Sequence, residues 1–490
     1  MGIWHGVKYK EIFEYFEEIS AIPRGSGNER AISDHLMGFA EKKGLKAFRD
    51  AALNVVIKKD ATQGYEKAPT VIIQGHMDMV CEKNRGVLHD FEKDPIRLRR
   101  EGDMIYAHDT TLGADDGIAI AYGMALLASK NIPHPAIEVL MTVDEEATMS
   151  GVHNLDVSFI SGKLLINLDS EEEGKFIVSS AGGRKAKVVL PIAWEAASEN
   201  MSSYYLRIDG LKGGHSGLDI EKGRGNANKL MGRLLSDIDE SFGISIAAIN
   251  GGMKSNVITR ECEALVLVNE EELGSINKKL EEWNETFRNE LRASDNGITV
   301  SMEKAEKEAT NVFSKATGKK VIAMLMILPN GFQSMSMEIK GLVESSTNLG
   351  VVETKEEEVF FYNEIRSSVL SLKLNLFNQI KTIAEKFGGK VNVDSDYPEW
   401  SYNPDSELRS VCSKVYKRMY GKEAEVLMMH AGLECGVFMS KIRELDAISI
   451  APNLFDVHTP NEHFSISSAE RVWEFLLETL KEMKYMNCTK

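Results

Sequence analysis

The apolar positions in the first third of the chain fall into two alternating patterns. Ile12, Phe13, Phe16 and Ile19 repeat at helical spacing ahead of Pro23. Ala31, Ile32, Leu36, Phe39 and Ala40 repeat again ahead of Gly44, so the spacing predicts two amphipathic helices. Near-continuous apolar runs then mark four strands: "LNVVIKK" (53–59), "TVIIQG" (70–75), "AIEVLMTV" (136–143) and "KLLINLD" (163–169). An apolar helix, "GIAIAYGMALLAS" (117–129), sits between the second and third. Strands that are apolar on both faces and separated by helices predict a mostly parallel sheet with helices on both faces, an α/β architecture.

From about residue 187 the texture changes. Alternating strands such as "SYYLRIDG" (203–210), "ISIAAI" (244–249) and "ALVLVNE" (264–270) mix with amphipathic helices such as "SINKKLEEWNETFRNELR" (275–292), which reads as an α+β insertion. After the turn-rich "DYPEWSYNPDS" (396–406) the α/β texture returns, with the helix "ELRSVCSKVYKRMYG", the strand "DAISIAP" and the helix "SAERVWEFLLETLKEM". The expected division is a first domain of 1–186 and 399–490, interrupted by an inserted domain of 187–398. Segments 254–268 and 346–362 echo each other too weakly to count as a repeat.

A length of 490 residues suits two or three domains. The composition, 43% hydrophobic and 27% charged, is that of a soluble globular protein, and a net charge of −16 argues against nucleic acid or an anionic membrane as partner. The cysteines at 81, 262, 412, 435 and 488 are scattered, without a CxxC pair. Together with a charged N-terminal stretch and no run long enough to span a bilayer, this sets the expectation of a cytoplasmic protein.

The candidate chemistry lies where the strands stop. "VIIQGHMDMV" runs straight into His76, and Asp78, two residues on, would project beside it. The next apolar regions end in Asp115 and Asp116 ("TTLGADDG"), Glu145 and Glu146 ("TVDEEATMSG") and Asp169 ("INLDSEEEG"). Ligands of open α/β sheets gather at the carboxyl ends of the strands. Any one of these charges could be a solvated loop, and 170–174 reads as one, but four consecutive strand ends bearing His or carboxylate point to a site. Carboxylates packed together repel unless cations sit between them, and a His/Asp/Glu set without thiolates suits zinc, cobalt or manganese. A second histidine is offered by "FDVHTPNEHFSI", as His458 or His463.

Taken in order, "AIPRGSGNE", "QGHMDMV", "TTLGADDG", "DEEATMSG", "NLDSEEEG", "GGHSG", "GRGNANK", "HAGLECG" and "HTPNE" span essentially the whole chain. This set resembles the co-catalytic zinc peptidases of the M20 type, and among them the aminoacyl-histidine dipeptidases, which cleave Xaa-His dipeptides including β-alanyl-histidine. The resemblance implies two divalent metal ions per subunit, zinc with cobalt or manganese able to substitute. The implied ligands are His76, Asp115, Glu146, Asp169 and His458, with Asp115 bridging and Asp78 orienting His76. Glu145 would be the general base for a water activated between the metals, and the peptide between Asp115 and Asp116 would be cis. Many relatives carry lysine or asparagine after the bridging aspartate, so the Asp115-Asp116 pair leaves open which of the two bridges.

His215, in "LKGGHSGLDI", taken alone is a tight-turn histidine. By resemblance it reaches a neighbouring subunit's site and touches the scissile carbonyl, which implies a homodimer built through an inserted lid and dimerisation domain. For a small peptide substrate, Arg366 is a candidate for the free carboxylate or else a surface arginine at a strand end. Asn256 in "KSNVI" and His430 in "HAGLECG" are further substrate-binding candidates. Two other readings stay open: another hydrolase with the same site (an N-acyl amino acid deacylase or tripeptidase), and a non-catalytic protein that kept the fold. The second would show a missing ligand or base, and none is missing.

Overall fold

The computed structural model describes residues 3–486; Cys488 lies outside them. The chain divides into two compact units, one of residues 1–179, 402–428 and 433–490, the other of residues 180–401 and 429–432.

The first unit is built on an eight-stranded sheet. At its centre Ile137–Thr142, Val71–His76, Leu164–Asn167 and Asp446–Ser449 run parallel in that order, flanked by antiparallel strands on both sides. The residues of the first three are buried throughout, as parallel strands covered on both faces require. Beyond Asp115 and Asp116 at its start, the helix Ala114–Ala128 is apolar all round, and Ala114 to Leu127 are all buried. Lys10–Ser20 lays its Ile12, Phe13, Phe16 and Ile19 stripe on the core. Arg30–Lys43 ends at Gly44, whose φ of 68° closes the helix in the left-handed region. A small antiparallel sheet pairs Leu454–Phe455 with His463–Ser465 and the latter with Met104–Ala107. It presents the loop 456–462 as a hairpin connection.

The second unit carries a nine-stranded sheet; apart from Gly331–Met335, which pairs with Val343–Thr354, its strands resolve into two halves with the same strand–helix–strand–strand–helix–strand order. One half runs Met201–Asp209, Ala227–Phe242, Ser245–Gly251, Cys262–Asn269, Leu273–Glu290 and Thr299–Lys304. The other runs Gly182–Pro191, Lys315–Ile327, Val343–Thr354, Glu358–Ser367, Leu370–Lys386 and Lys390–Tyr397, and the first half is inserted into its first crossover. Their second strands pair antiparallel, Asn250 with Glu353 and Gly251 with Val352, so the two halves form one continuous sheet. The echoing segments 254–268 and 346–362 both run into the third strand of their half. Among the described residues no helix is long and apolar enough to cross a membrane.

Candidate metal centre and substrate-side cluster

In the first unit the side chains predicted at the strand ends converge. The strand Val71–His76 delivers a buried His76, whose Nδ1 faces Asp78 Oδ1 at 3.3 Å and whose Nε2 faces Asp115 Oδ1 at 3.0 Å and Asp169 Oδ1 at 3.7 Å. The other oxygen of Asp115 lies 3.1 Å from His458 Nε2, which also meets Glu146 Oε1 at 3.0 Å. Asp115 thus turns one oxygen toward each histidine. Asp116 accepts a hydrogen bond from the His76 N–H at 3.3 Å, and its Oδ1 is buried without a hydrogen-bond partner. The Asp115–Asp116 peptide is cis, as the resemblance implied. His463 stacks on Tyr106 and Phe455 instead, outside the cluster.

Three sets of donor atoms lie close enough to share a cation: His76, Asp116 and Asp169; His76, Glu145 and Glu146; and Asp115, Glu146 and His458. Asp78 organises the surroundings. It accepts from Ser26 Oγ (2.8 Å), from the Glu145 N–H (3.0 Å) and from the Glu146 N–H (3.2 Å), so one carboxylate orients both His76 and the Glu145-Glu146 loop. Burial raises its pKa, but His76 and these hydrogen bonds win and hold it at about 2. Left-handed φ values cluster here as well, at Asp144 (57°), Glu171 (64°), Asp456 (49°) and His458 itself (63°), as at other sites where strained backbone aims a side chain.

Two residues that the sequence pattern missed fix the loop carrying Asp115. The buried carboxylate of Glu462 accepts from four successive backbone N–H groups, those of Leu112 (2.7 Å), Gly113 (2.9 Å), Ala114 (2.7 Å) and Asp115 (3.3 Å). It caps the helix Ala114–Ala128, where the peptide dipoles favour an anion. Glu462 is four residues past His458, so it ties the two metal-side loops together. From the other side the buried guanidinium of Arg24 donates to the carbonyls of Met77, Asp78 and Gly113. Gly113 has φ 69°, and a Cβ there would lie 2.7 Å from Arg24 Nη2, so both conformation and space require glycine. The acidic run 170–174 is also more than a solvated loop: Glu173 grips Arg471 through two hydrogen bonds of 2.7 and 2.6 Å.

The electrostatics are those of a crowded anion site. Burial, only partly offset by His76, together with Asp169, Glu146 and Asp115, pushes the Glu145 carboxyl up to about 8. Asp169 is likewise raised to about 8 by burial and by Asp115 and Glu146, against His76. Hydrogen bonds to Asp115 and Glu146 lift His458 to about 11. Without cations, protons must take up the charge that this geometry concentrates.

The remaining candidates belong to the second unit. His215 Nδ1 accepts from the backbone N–H groups of Gly217 (3.3 Å) and Leu218 (3.1 Å), which leaves the ring proton on Nε2. Burial and the neighbouring Arg366 lower its basicity, so the ring is neutral. His430 is on the short return segment 429–432, with Nε2 2.7 Å from Ser346 Oγ. Burial, then Arg366 and His215, push it down to about 3. Arg366 is buried, with its Nε 3.5 Å from Ser216 Oγ. Asn256 is exposed, and its carbonyl accepts the Ser216 N–H at 2.9 Å.

Imidazoles and carboxylates converging at the carboxyl ends of a parallel sheet, with no thiolate among them, define a metallohydrolase centre. Residues 72–482 match the model of peptidase family M20/M25/M40, and the chain belongs to that family. It is 34% identical over 472 residues to the cytosol non-specific dipeptidase of Escherichia coli K12, covering 96% of this chain and 97% of that one. Among solved structures, aminoacylhistidine dipeptidase from Vibrio alginolyticus matches with a TM-score of 0.93 and 35% identity over 98% of both chains. A tripeptidase from Staphylococcus aureus, at 16% identity and a TM-score of 0.55 over 99% of this chain and 100% of that one, shares the fold alone.

Proposed function

We propose that this peptidase is a cytoplasmic, metal-dependent dipeptidase that hydrolyses dipeptides of the Xaa-His type, β-alanyl-histidine included. The observation that carries the metal assignment is the Asp115 carboxylate, with one oxygen toward His76 and the other toward His458. His76, Asp115 and Asp169 would hold one cation, and Asp115, Glu146 and His458 the other. The donor set fits such ions. Carboxylates outnumber the two histidines they crowd, and the nitrogen and oxygen donors suit zinc, with cobalt or manganese as substitutes. A pair of divalent cations supplies, when bound, an acidified water and a Lewis acid for the scissile carbonyl.

The chain's own residues do the rest. Glu145 takes the water's proton on its carboxylate and passes it to the leaving amine nitrogen. His215 offers its Nε2–H to the carbonyl oxygen as negative charge develops, the tautomer its Nδ1 contacts favour. Arg366 holds the substrate's free carboxylate, while Asn256 and His430 line the substrate-binding surface. The inserted domain forms a homodimer, a reading supported by its exposed apolar side chains Phe332, Met335 and Met337 near one strand edge.

The name of the E. coli relative, a non-specific dipeptidase, sets the competing reading of a dipeptidase indifferent to the second residue. A panel of Xaa-His dipeptides, other dipeptides, tripeptides and N-acyl amino acids, assayed with and without added zinc, cobalt or manganese, decides between them. The proposal expects metal-dependent turnover with the highest kcat/KM on Xaa-His. Equal rates on all dipeptides would overturn the histidine preference, and turnover confined to acyl amino acids would overturn the dipeptidase.

A further inference from the structure

The sheet of the second unit places three residues in a row. Gly183 pairs with Arg366 on one neighbouring strand and with Tyr397 on the other. Residues two strands apart are roughly 10 Å apart at the backbone, too far for ordinary contact across an occupied middle position. Here the middle position has no side chain. A Cβ on Gly183 would lie 2.2 Å from Tyr397 Cζ and 2.3 Å from its hydroxyl, so the phenol ring occupies the space above Gly183. Gly432 flanks the same ring, its own Cβ position being 2.9 Å from Tyr397 Cε2. The slot carries the Tyr397 hydroxyl to Arg366, whose Nη1 donates to it at 2.7 Å.

The direction of that bond matters. Arg366 donates and the phenol oxygen accepts, so the phenol proton stays available as a donor beside the guanidinium. From below, the buried Lys373 donates to the Tyr397 carbonyl at 2.8 Å and pairs with Glu399 at 2.9 Å, which anchors the backbone of the tyrosine. The residue is thus held at both ends, in a stretch that the sequence pattern presents as a linker.

We infer that Tyr397, seated over Gly183, completes an anion clamp with Arg366, aligning the guanidinium and donating its own hydroxyl proton to the C-terminal carboxylate of the dipeptide. This rests on the reading of Arg366 as the carboxylate-holding residue. It makes Tyr397 a specificity-determining residue, one that discriminates peptides with a free carboxylate from those without.

The test uses the metal-loaded full chain with alanyl-histidine and its C-terminal amide as probes. Tyr397→Phe keeps the ring in its slot and removes only the hydroxyl. The ratio of kcat/KM for the acid over the amide should fall about tenfold, the loss expected for one hydrogen bond to a charged group, through KM and with kcat retained. Gly183→Ala should reproduce the effect with both clamp residues present, because the new methyl displaces the ring. Adding Tyr397→Phe to Arg366→Ala should lower the ratio little further, since the two act as one unit. If Arg366→Ala collapses the ratio while Tyr397→Phe matches the parent enzyme, the clamp is Arg366 alone and the inference is wrong. If neither variant changes the ratio, the assignment of Arg366 is wrong and the inference falls with it.

Discussion

The two clusters differ in charge, as the opposite jobs proposed for them require. In the first unit Asp115, Asp116, Glu145, Glu146 and Asp169 crowd two histidines, and the pKa values are driven far apart, Asp78 held at about 2 and His458 raised to about 11. In the second unit burial and the neighbouring Arg366 push both nearby histidines toward neutrality, His430 to about 3. The first cluster is unfinished without cations. The second is a set of finished donors, His215 Nε2–H, the guanidinium and hydroxyls, already oriented by hydrogen bonds. A metal centre concentrates like charge and relies on the ion to repay it, whereas a substrate pocket works best when its donors need no rearrangement.

The sharpest way to break this contrast is to remove the proposed base, Glu145, from the first cluster. Glu145→Gln should retain both metals, because Glu145 is not among the proposed ligands, and should lower kcat by on the order of a thousandfold or more. Metal analysis beside steady-state kinetics checks it; loss of metal would mean that the roles of Glu145 and Glu146 are reversed. The matching change in the second cluster is His215→Ala. Losing one preorganised donor should lower kcat about a hundredfold to a thousandfold with metal content and oligomeric state unchanged. Mixing the two variants under subunit exchange separates two arrangements. If His215 serves the partner's site, hybrid dimers hold one working site each and roughly a quarter of the parent activity returns; a mixture that stays inactive places His215 in its own chain's site.

A smaller effect is expected from Glu462→Gln. The amide keeps the shape but loses the charge that accepts four backbone N–H groups, so the loop holding Asp115 loosens. Metal affinity should weaken about tenfold to a hundredfold, as for other groups that orient ligands, while kcat at saturating metal recovers most of its value. Competition with a chromogenic chelator measures it. An unchanged affinity would show that the cap serves folding alone.

Much of this was legible in the sequence because it depends on local periodicity. Buried parallel strands are apolar on both faces, so "VIIQGH" and "AIEVLMTV" announce themselves, and a charged residue directly after such a run has few places to go but the sheet's carboxyl end. What was hidden depends on register and long separations. Glu462 lies in a polar turn that reads as solvent-facing, yet it caps a helix whose first turn is 347 residues away along the chain. Tyr397 sits among turn-formers, and its reach to Arg366 exists only because Gly183 is paired between them. Glu173 looked like part of a solvated acidic run until Arg471 was found against it. The two-half architecture of the second unit left only the faint echo between 254–268 and 346–362, because sheet topology constrains strand order far more than side-chain identity.

The smallest effect tests the charge imbalance itself, in protein stripped of metal. Glu145 and Asp169 hold their protons up to about 8 in the folded chain, against ordinary values of 4.5 and 3.8. Between those limits the folded chain binds more protons than the unfolded one, so the free energy of unfolding falls as pH rises from about 4 to about 8. His458, raised from 6.5 to about 11, acts in the same sense at higher pH: its stabilisation is complete below its ordinary value and is lost as pH climbs through the raised one. Asp78, held at about 2 against 3.8, contributes stability that disappears only in strong acid, so it does not oppose the trend. His430, held at about 3 against 6.5, does oppose it up to about pH 6.5, as one group against the two raised carboxyls, and no longer opposes it above that pH. The Tm of chelator-treated protein should therefore drop by a few degrees between about pH 5 and about pH 8, as read by calorimetry. Saturating zinc should flatten or reverse that slope, because the cations replace the protons that high pH removes. A metal-free profile that is flat or rising across this range would mean that the carboxylates ionise together at no cost, and the first cluster would be no more charge-strained than the second.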